Sequence, residues 1–600
     1  MRNKHGGAME PSSANKSPAD TSTMKPATAV SGTLPPEKPE AIRTRSRVIV
    51  AFWAVIIFLG LPMWWQTTSI YRARIPQEEM KDWGDGKACR PVFPLQILVH
   101  APSIQAPEAE HLIRTTQHAL DDLNDFSAYH LRLRLVETAH NAEDSSTGGV
   151  HDADLDLRVL RSAALKVKLQ ARDALTNPTA ELHQFSEQLD IFYPSNQVPS
   201  ISSANSLLAS FIASELQQLF TEEKTTIAHI LSRKHALNPG AQPPVANGQA
   251  SGNTRDEADA VLKSITPQLA DTIARRATRS FKYADTYHLS FSLFTPGAYP
   301  SSWDIESALH ENLLPLLNAF SPISNFSIDT QVQLFASFAP NAAKPEYDET
   351  TQGWMLKKED LGSFINAAEW PLSPSIGGGP TINFILYVPA PEQSPLFIQE
   401  NHATSWLIPQ WGGVVILNPD QPPISDHEDS PKQNPLHLSS TALQPALSTF
   451  SHQLLSLLGT PSSPPSLPLR LQTLTRIHAA SLLLSASSTL GSLARLTHSL
   501  ASIPIPENVQ TSVSRSIAHL HSTCAALREG YFSEALASAR VAEREAEKSF
   551  FEKSMVGQVY FPDEHKIAVY MPLLGPAAVP LVMGALKEIK RRVVSARRAA

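Results

Sequence analysis

The sequence predicts an α/β body with a C-terminal helical region, bracketed by two transmembrane helices. Three observations carry that expectation. Apolar stretches lie near both ends, Val48 to Trp65 and Ile567 to Leu586, each with basic residues on its outer flank. Between them, short apolar runs and period-two alternation interleave with helical periodicity. Beyond about Leu443 the pattern turns helical and rich in Leu, Ala and Ser.

Residues 1–47 form the first segment, rich in Ser, Pro, Ala, Lys and Thr, and are expected to be a disordered cytosolic tail. Residues 48–65 follow Arg43, Arg45 and Arg47 and come close to the roughly 20 apolar residues that cross a hydrocarbon core. Trp64, Trp65 and Tyr71 suit an interfacial aromatic belt. A cleaved signal peptide fits less well, because the basic tail is long and no small-x-small site follows the apolar run. The second stretch, 567–586, leads into a basic tail, 587–600, carrying Lys587, Lys590, Arg591, Arg592, Arg597 and Arg598. Basic flanks stay cytosolic. Both termini are therefore expected in the cytosol, with 66–566 translocated.

A chain of 600 residues is long enough for two to four domains. The formal charge of -7 gives no reason to expect nucleic acid as a partner. Only two cysteines occur, Cys89 and Cys524, so the fold rests on its core and not on a disulfide framework. Whether those two pair is left open by the sequence.

The α/β domain is expected over 66–442. Leu95–Val99 reads as a strand, Glu108–Leu123 as an amphipathic helix, and Leu131, Leu133 and Leu135 alternate with arginines as in a half-buried strand. A second strand–helix–strand unit runs through Tyr287–Leu293, Ile305–Leu316 and Ile328–Leu334. Ile382–Val388 and Val414–Leu417 are continuous apolar runs, as in central strands buried on both faces. Residues 237–256 form a flexible loop, and a further low-complexity break spans Pro419–Gln444. The helical region covers 443–566, broken at Pro461–Pro468 and Ile503–Pro506. No fixed-period repeat is visible.

Candidate chemistry is sparse. Lys87-Ala88-Cys89-Arg90-Pro91 is superficially like the nucleophile segment of caspase-like proteases, but Pro91 stands where glycine is needed and no histidine lies suitably upstream. An incidental surface cysteine is the expectation. Asp152, Asp154 and Asp156 could hold a metal, as calcium loop or sugar-nucleotide site. Leu157 occupies the glycine position of a calcium loop, and the alternation fits the solvent face of a strand. Ser375-Ile376-Gly377-Gly378-Gly379 lacks the lysine and spacing of a phosphate loop. The 21 histidines are scattered without an HExxH pair, and His452 sits in a helical run. No catalytic, cofactor or metal residue is nominated.

Two features have physical consequences. Asn325-Phe326-Ser327 is an N-glycosylation acceptor in the segment assigned to the lumen. In the second span Pro572, Pro576 and Pro580 recur every four residues, with Gly575 and Gly584 nearby. Each proline removes a backbone hydrogen bond, which hydrocarbon tolerates only where neighbouring helices shield the site. Those five residues are expected to pack against other membrane helices.

At the membrane junctions the chain resembles a known family. Leu59-Gly60-Leu61-Pro62-Met63-Trp64-Trp65 through Ala73 is similar to the first-span exit of the PIG-S family, and Tyr560-Phe561-Pro562-Asp563 through Leu573 to its second-span junction. Ser324–Gln331, Asn383–Pro389 and Pro409–Gly413 agree, in order. The resemblance implies a subunit of the GPI transamidase of the endoplasmic reticulum membrane. That complex replaces a C-terminal signal, made of small residues, spacer and apolar tail, with a glycosylphosphatidylinositol lipid. It also implies that catalysis belongs to a separate caspase-like cysteine subunit, and that this chain is a non-catalytic scaffold among multi-span partners. The competing expectations are a lumenal glycosyltransferase-like enzyme with its metal near Asp154, and a general membrane adaptor.

Overall fold

The computed structural model describes residues 38–68, 71–136, 163–203, 206–233, 253–300, 302–336, 344–361, 379–418, 437–500, 503–556 and 563–599. They fall into two compact units, residues 70–560 and a unit formed by both chain ends.

The N-terminal part of the end unit is one long helix: α1 (Pro39–Val55), a π-helical turn over Ile56–Gly60, and α2 (Leu61–Thr68). It starts at Pro39, inside the basic flank where a disordered tail was expected. Proline is tolerated there because the first helical N–H groups are unpaired anyway. The π turn precedes Pro62, whose ring would clash with the Phe58 carbonyl in a regular helix. Leu61 instead bonds back to the Ile56 carbonyl, lengthening the turn.

The body opens with α3 (Gln77–Asp85), ended by Gly86 at φ 77°. Then follow β1 (Phe93–His100), α4 (Ala106–Asp122), β2 (Tyr129–Leu135), β3 (Leu165–Ala171), β4 (Thr179–Leu182) and β5 (Gln188–Tyr193). They form a sheet of order β2-β1-β3-β5-β4, parallel except for β4. Four helices come next: α5 (Leu207–Leu219), α6 (Thr221–Arg233), α7 (Asn253–Ser264) and α8 (Pro267–Arg279). Side-chain caps start two of them, Ser206 for α5 and Thr266 for α8.

The second half comprises β6 (Thr286–Phe294), β7 (Ser302–Trp303), α9 (Ile305–Asn312), α10 (Leu314–Phe320), β8 (Asn325–Gln333), β9 (Glu346–Asp348), β10 (Gly353–Leu356), β11 (Thr381–Tyr387), β12 (Leu396–Ile398), β13 (Ser405–Ile408), β14 (Gly412–Ile416) and β15 (His437–Leu438), with β9, β10 and β12 in a small sheet of their own and β7 paired with β15. The single helix expected over 305–316 is two, because Pro315 cannot continue α9 and starts a new turn instead. The main strands lie in the order β13-β14-β11-β6-β8, parallel except for β13. Numbering β6, β8, β11, β13 and β14 from first to fifth gives 2-1-3-5-4, the order of the first sheet. The body is therefore an architectural repeat without a visible sequence repeat.

The helical region comprises α11 (Ser440–Leu457), α12 (Leu467–Ser499), α13 (Glu507–Glu529), α14 (Phe532–Phe550) and α15 (Lys553–Val556). Two of its breaks fall at prolines, one at Gly530, whose φ of 83° closes α13, and one at Phe551–Glu552 after α14. Phe450 of α11 packs on Phe291 and Phe384, ring centres 5.9 and 5.0 Å away. One hydrophobic core runs from Leu95 and Leu165 through Leu289 and Phe384 to Leu474 and Leu520, so both sheets and the helices share it.

The last helix, α16 (Asp563–Ala599), belongs to the end unit. Among the described residues, the helices Pro39–Gln66 and Leu467–Ser499 are long and apolar enough to cross a membrane. Burial separates them: the most apolar window of the first is 0% buried and that of the second 56%. Arg476 in α12 is fully buried against a carboxylate, so α12 is apolar because it is core.

Candidate functional site

An open α/β sheet binds ligands beyond the strand ends where its strand order reverses. In the second sheet that point lies between β6 and β11, and side chains fill it. Phe294 and Tyr387 are buried there with Leu356 and Leu396 against them. Val388 N–H bonds the Phe294 carbonyl at 2.9 Å, and Thr295 is wholly buried. In the first sheet, whose order reverses between β1 and β3, the Arg172 N–H just after β3 bonds the Tyr193 carbonyl and its guanidinium lies 3.7 Å from the Phe192 ring centre.

A serine–histidine–aspartate line occurs that sequence spacing gave no reason to expect. Ser302 Oγ is 2.8 Å from His437 Nδ1, and His437 Nε2 is 3.0 Å from Asp304 Oδ2. A catalytic triad excludes water from its acid and aims donors at an oxyanion. Here the His437 and Asp304 side chains are 49% and 47% exposed. The three residues join β7 to β15, whose backbones also pair. The line works as a clip between chain segments.

Cys89 is not an incidental surface cysteine. It is buried and bonded to Cys524 of α13, with Cα atoms 6.2 Å apart. A disulfide sulfur is no nucleophile, which removes the protease reading on chemical grounds. The bond belongs to a longer junction. Tyr71 and Ala73 exchange backbone hydrogen bonds with Ile505, and Arg72 donates to the Thr497 carbonyl at 2.7 Å. Next, α3 crosses α12 at paired glycines: a Cβ on Gly491 would lie 2.6 Å from Gly84 Cα. Trp83 is buried in that crossing. The segment following the first long helix is thus held on the helical region by backbone pairing, a close helix crossing and a covalent bond.

A second junction is made of buried charge. Glu222 and Glu223 open α6, where a helix N-terminus favours carboxylates. Glu222 accepts from Arg276 of α8 and from the Ser463 N–H at 2.8 Å. Glu223 accepts from Arg476 Nη2 at 2.7 Å and Thr473 at 2.6 Å, both on α12. All four charged groups are under a tenth exposed. Burial, with the Glu223 carboxylate beside it, pushes the Tyr129 hydroxyl well above its ordinary pKa. Burial also drives the His478 imidazole down to about 4, helped by the Arg540 charge. From the sequence these acids look like an ordinary solvated helix start; only the arginines distant in the chain reveal them.

The other nominated residues are spread out. Asn325 is exposed at the first position of β8. Pro572, Pro576 and Pro580 are exposed on α16, and Gly584 comes nearest a neighbour, Ile49 of α1. A Cβ on Gly575 would meet nothing within 4 Å. Asp152, Asp154, Asp156 and Ser375–Gly378 lie outside the described residues. Gly379 is needed for close approach, since a Cβ there would fall 2.2 Å from the Thr286 carbonyl oxygen. His452 is exposed on α11. Among the described residues, no three His, Cys, Asp or Glu side chains converge to hold a metal.

These features define an α/β protein of two like-folded halves, packed on a helical layer and flanked by long terminal helices. Residues 51–595 match the family described as Phosphatidylinositol-glycan biosynthesis class S protein, and the chain belongs to this PIG-S family. It is similar to the "GPI-anchor transamidase component PIGS" of Rattus norvegicus, 28% identical across 91% of this chain and 95% of the rat protein. The Homo sapiens protein of that name is 27% identical over 90% and 94%. The "GPI transamidase component PIG-S homolog" of Schizosaccharomyces pombe is 25% identical over 92% and 85%.

Proposed function

We propose that this chain is a non-catalytic accessory subunit of the GPI transamidase, supporting attachment of glycosylphosphatidylinositol to proprotein C-termini in the endoplasmic reticulum. The observation that carries the reading is the similarity to the rat transamidase component, which covers 91% of this chain and 95% of that protein. A role belonging to that whole protein therefore has a whole counterpart here.

Other observations support the arrangement. Basic flanks outside both terminal apolar stretches favour cytosolic ends and a lumenal body. A buried disulfide in the body suits an oxidising compartment. Asn325 is exposed, as a lumenal glycan acceptor must be. Catalysis falls to a separate caspase-like cysteine subunit, because the body's own cysteines are consumed by their bond. The partners are that subunit and the multi-span proteins of the complex, with α1, α2 and α16 packed among their helices.

Purification of the full chain from detergent-solubilised membranes tests this. Recovery of a caspase-like protein and multi-span proteins, with loss of GPI-anchored surface proteins when the chain is removed, is the expected result. A monodisperse chain that binds manganese and a sugar nucleotide would establish the glycosyltransferase-like alternative.

A further inference from the structure

Helix α16 continues without a break through Pro572, Pro576 and Pro580. Proline has no N–H, so the carbonyls four residues earlier, on Ala568, Pro572 and Pro576, receive no bond within the helix. All three lie within the apolar stretch Ile567–Leu586, on successive turns. Hydrocarbon offers no water to replace the missing donors.

The stretch cannot supply them. Between 567 and 586 there is no Ser, Thr, Asn, Gln, His or charged residue, which leaves the Tyr570 hydroxyl against three acceptors. The first anchor supplies little more. Ser46 Oγ donates to Glu588, and Ile49 approaches Gly584, so α1 and α16 run antiparallel with their basic ends together. One turn further along each helix brings Trp53 level with Pro580. The Trp53 indole N–H is shielded and has no hydrogen-bond partner among the described residues. Apart from Trp64 and Trp65 near its far end, it is the only side-chain donor in Val48–Trp65. One donor at the right level faces three acceptors. Beyond that level the space around Gly575 is open and the prolines are exposed.

We propose that the carbonyls of Ala568, Pro572 and Pro576 are the acceptor side of a helix–helix interface. Its occupant is a membrane-spanning helix of a partner chain, carrying hydroxyl, amide or indole donors one turn apart. Donors at i and i+4 on such a helix lie on one face and match carbonyls spaced by four residues. This deepens the accessory-subunit reading and rests on α16 spanning the membrane.

The test uses the full chain in membranes. A photo-crosslinker replacing the exposed Val579, three residues from Pro576, is expected to capture an apolar partner segment with Ser, Thr, Asn, Gln or Trp at one-turn spacing. The variant P572A/P576A/P580A restores all three N–H groups and removes the need for donors. Interhelical bonds in membranes average a factor of about three each, so recovery of that partner in detergent should fall about twentyfold. Alkali-resistant insertion should persist in the variant. Crosslinks to lipid alone or to a second copy, or partner recovery unchanged in the triple variant, would overturn the interface while leaving the accessory-subunit reading standing. Release of the wild-type chain by alkali would overturn both.

Discussion

The two sheets share a strand order but finish their outer edges differently. On β2, Ala128 and Val136 bond toward β1, so the backbone groups of Tyr129, Leu131 and Leu133 face outward. Side chains close that edge: Asn124 donates to the Tyr129 carbonyl, and the Gln117 amide takes both the Leu131 carbonyl and the Leu133 N–H. On β8, Asn325 and Gln333 bond toward β6, so Phe326, Ile328, Thr330 and Val332 face outward. Among the described residues no side chain bonds that edge, and Val332, Leu334 and Phe335 are exposed beyond it. An open edge invites pairing with other chains unless something covers it. An occupied sequon at the head of β8 would place a glycan at the unprotected edge.

Attachment to the helical layer differs as well. The first half is fixed by a disulfide and by buried ion pairs. The second half is fixed by Phe291 and Phe384 packed against Phe450 of α11 and by Arg540 of α14, which donates to the Pro322 and Ile323 carbonyls. The same topology is thus held by a covalent bond and buried ion pairs on one side, and by rings with solvent-exposed ion pairs such as Lys282–Glu547 on the other. The first half should therefore fail abruptly when one partner is removed, and the second more gradually.

The sharpest way to break that contrast is Arg476→Leu. Glu223 would keep its burial and lose its countercharge, costing about 3–5 kcal/mol. The double variant Glu223→Leu/Arg476→Leu should recover much of it, as thermal melts of the purified chain would read. A single loss no larger than the double would show the pair is not buried in solution.

The disulfide comes next. Cys89 and Cys524 are 435 residues apart, and a bond closing so long a loop is worth about 2–4 kcal/mol. C89A/C524A should melt lower than the wild type without reductant, and reductant should bring the two together. GPI attachment should survive in the variant wherever the chain still folds, because the cysteines do no chemistry.

On the second half, pH is the probe. His478 packs against Tyr283, ring centres 5.0 Å apart, and its folded pKa of about 4 lies below that of free histidine. The unfolded chain therefore binds the proton first. Stability should be complete above about pH 6.5 and fall as pH drops toward 4, by on the order of 1 kcal/mol, since the residue is half-buried. His478→Gln should flatten that slope, and an unchanged slope would assign the acid sensitivity to other groups.

Much of the fold was legible because it depends on local pattern. The alternation of Leu131, Leu133 and Leu135 and the run Ile382–Val388 give strands without knowledge of their neighbours. Sheet order does not work that way, and the repeat became visible only when β6 was seen beside β11 and β8. The junctions were hidden for the same reason. Glu223 and Arg476 are 253 residues apart, and Gln117 looks like any helix surface residue. Cys89 carried a misleading local motif, while its partner carried none. The Asn325 sequon can be read from three adjacent residues, and the missing donors of the α16 prolines from residue type alone; both remain expectations about function.

The smallest effect tests the edge comparison most directly. Asn325→Gln removes the acceptor at an exposed position with no core contact, so folding stability should change by less than about 0.5 kcal/mol. The lumenal reading predicts a gel shift of one glycan for the wild type, abolished by the variant and by endoglycosidase. The edge argument predicts something further: the unglycosylated chain should self-associate more, through β8. Thr330 is exposed and its backbone faces outward, so Thr330→Lys adds edge charge of the kind that discourages pairing. If self-association rises in Asn325→Gln and falls again in Asn325→Gln/Thr330→Lys, the glycan does for β8 what Gln117 does for β2. If it does not rise, the open edge is covered by something other than sugar.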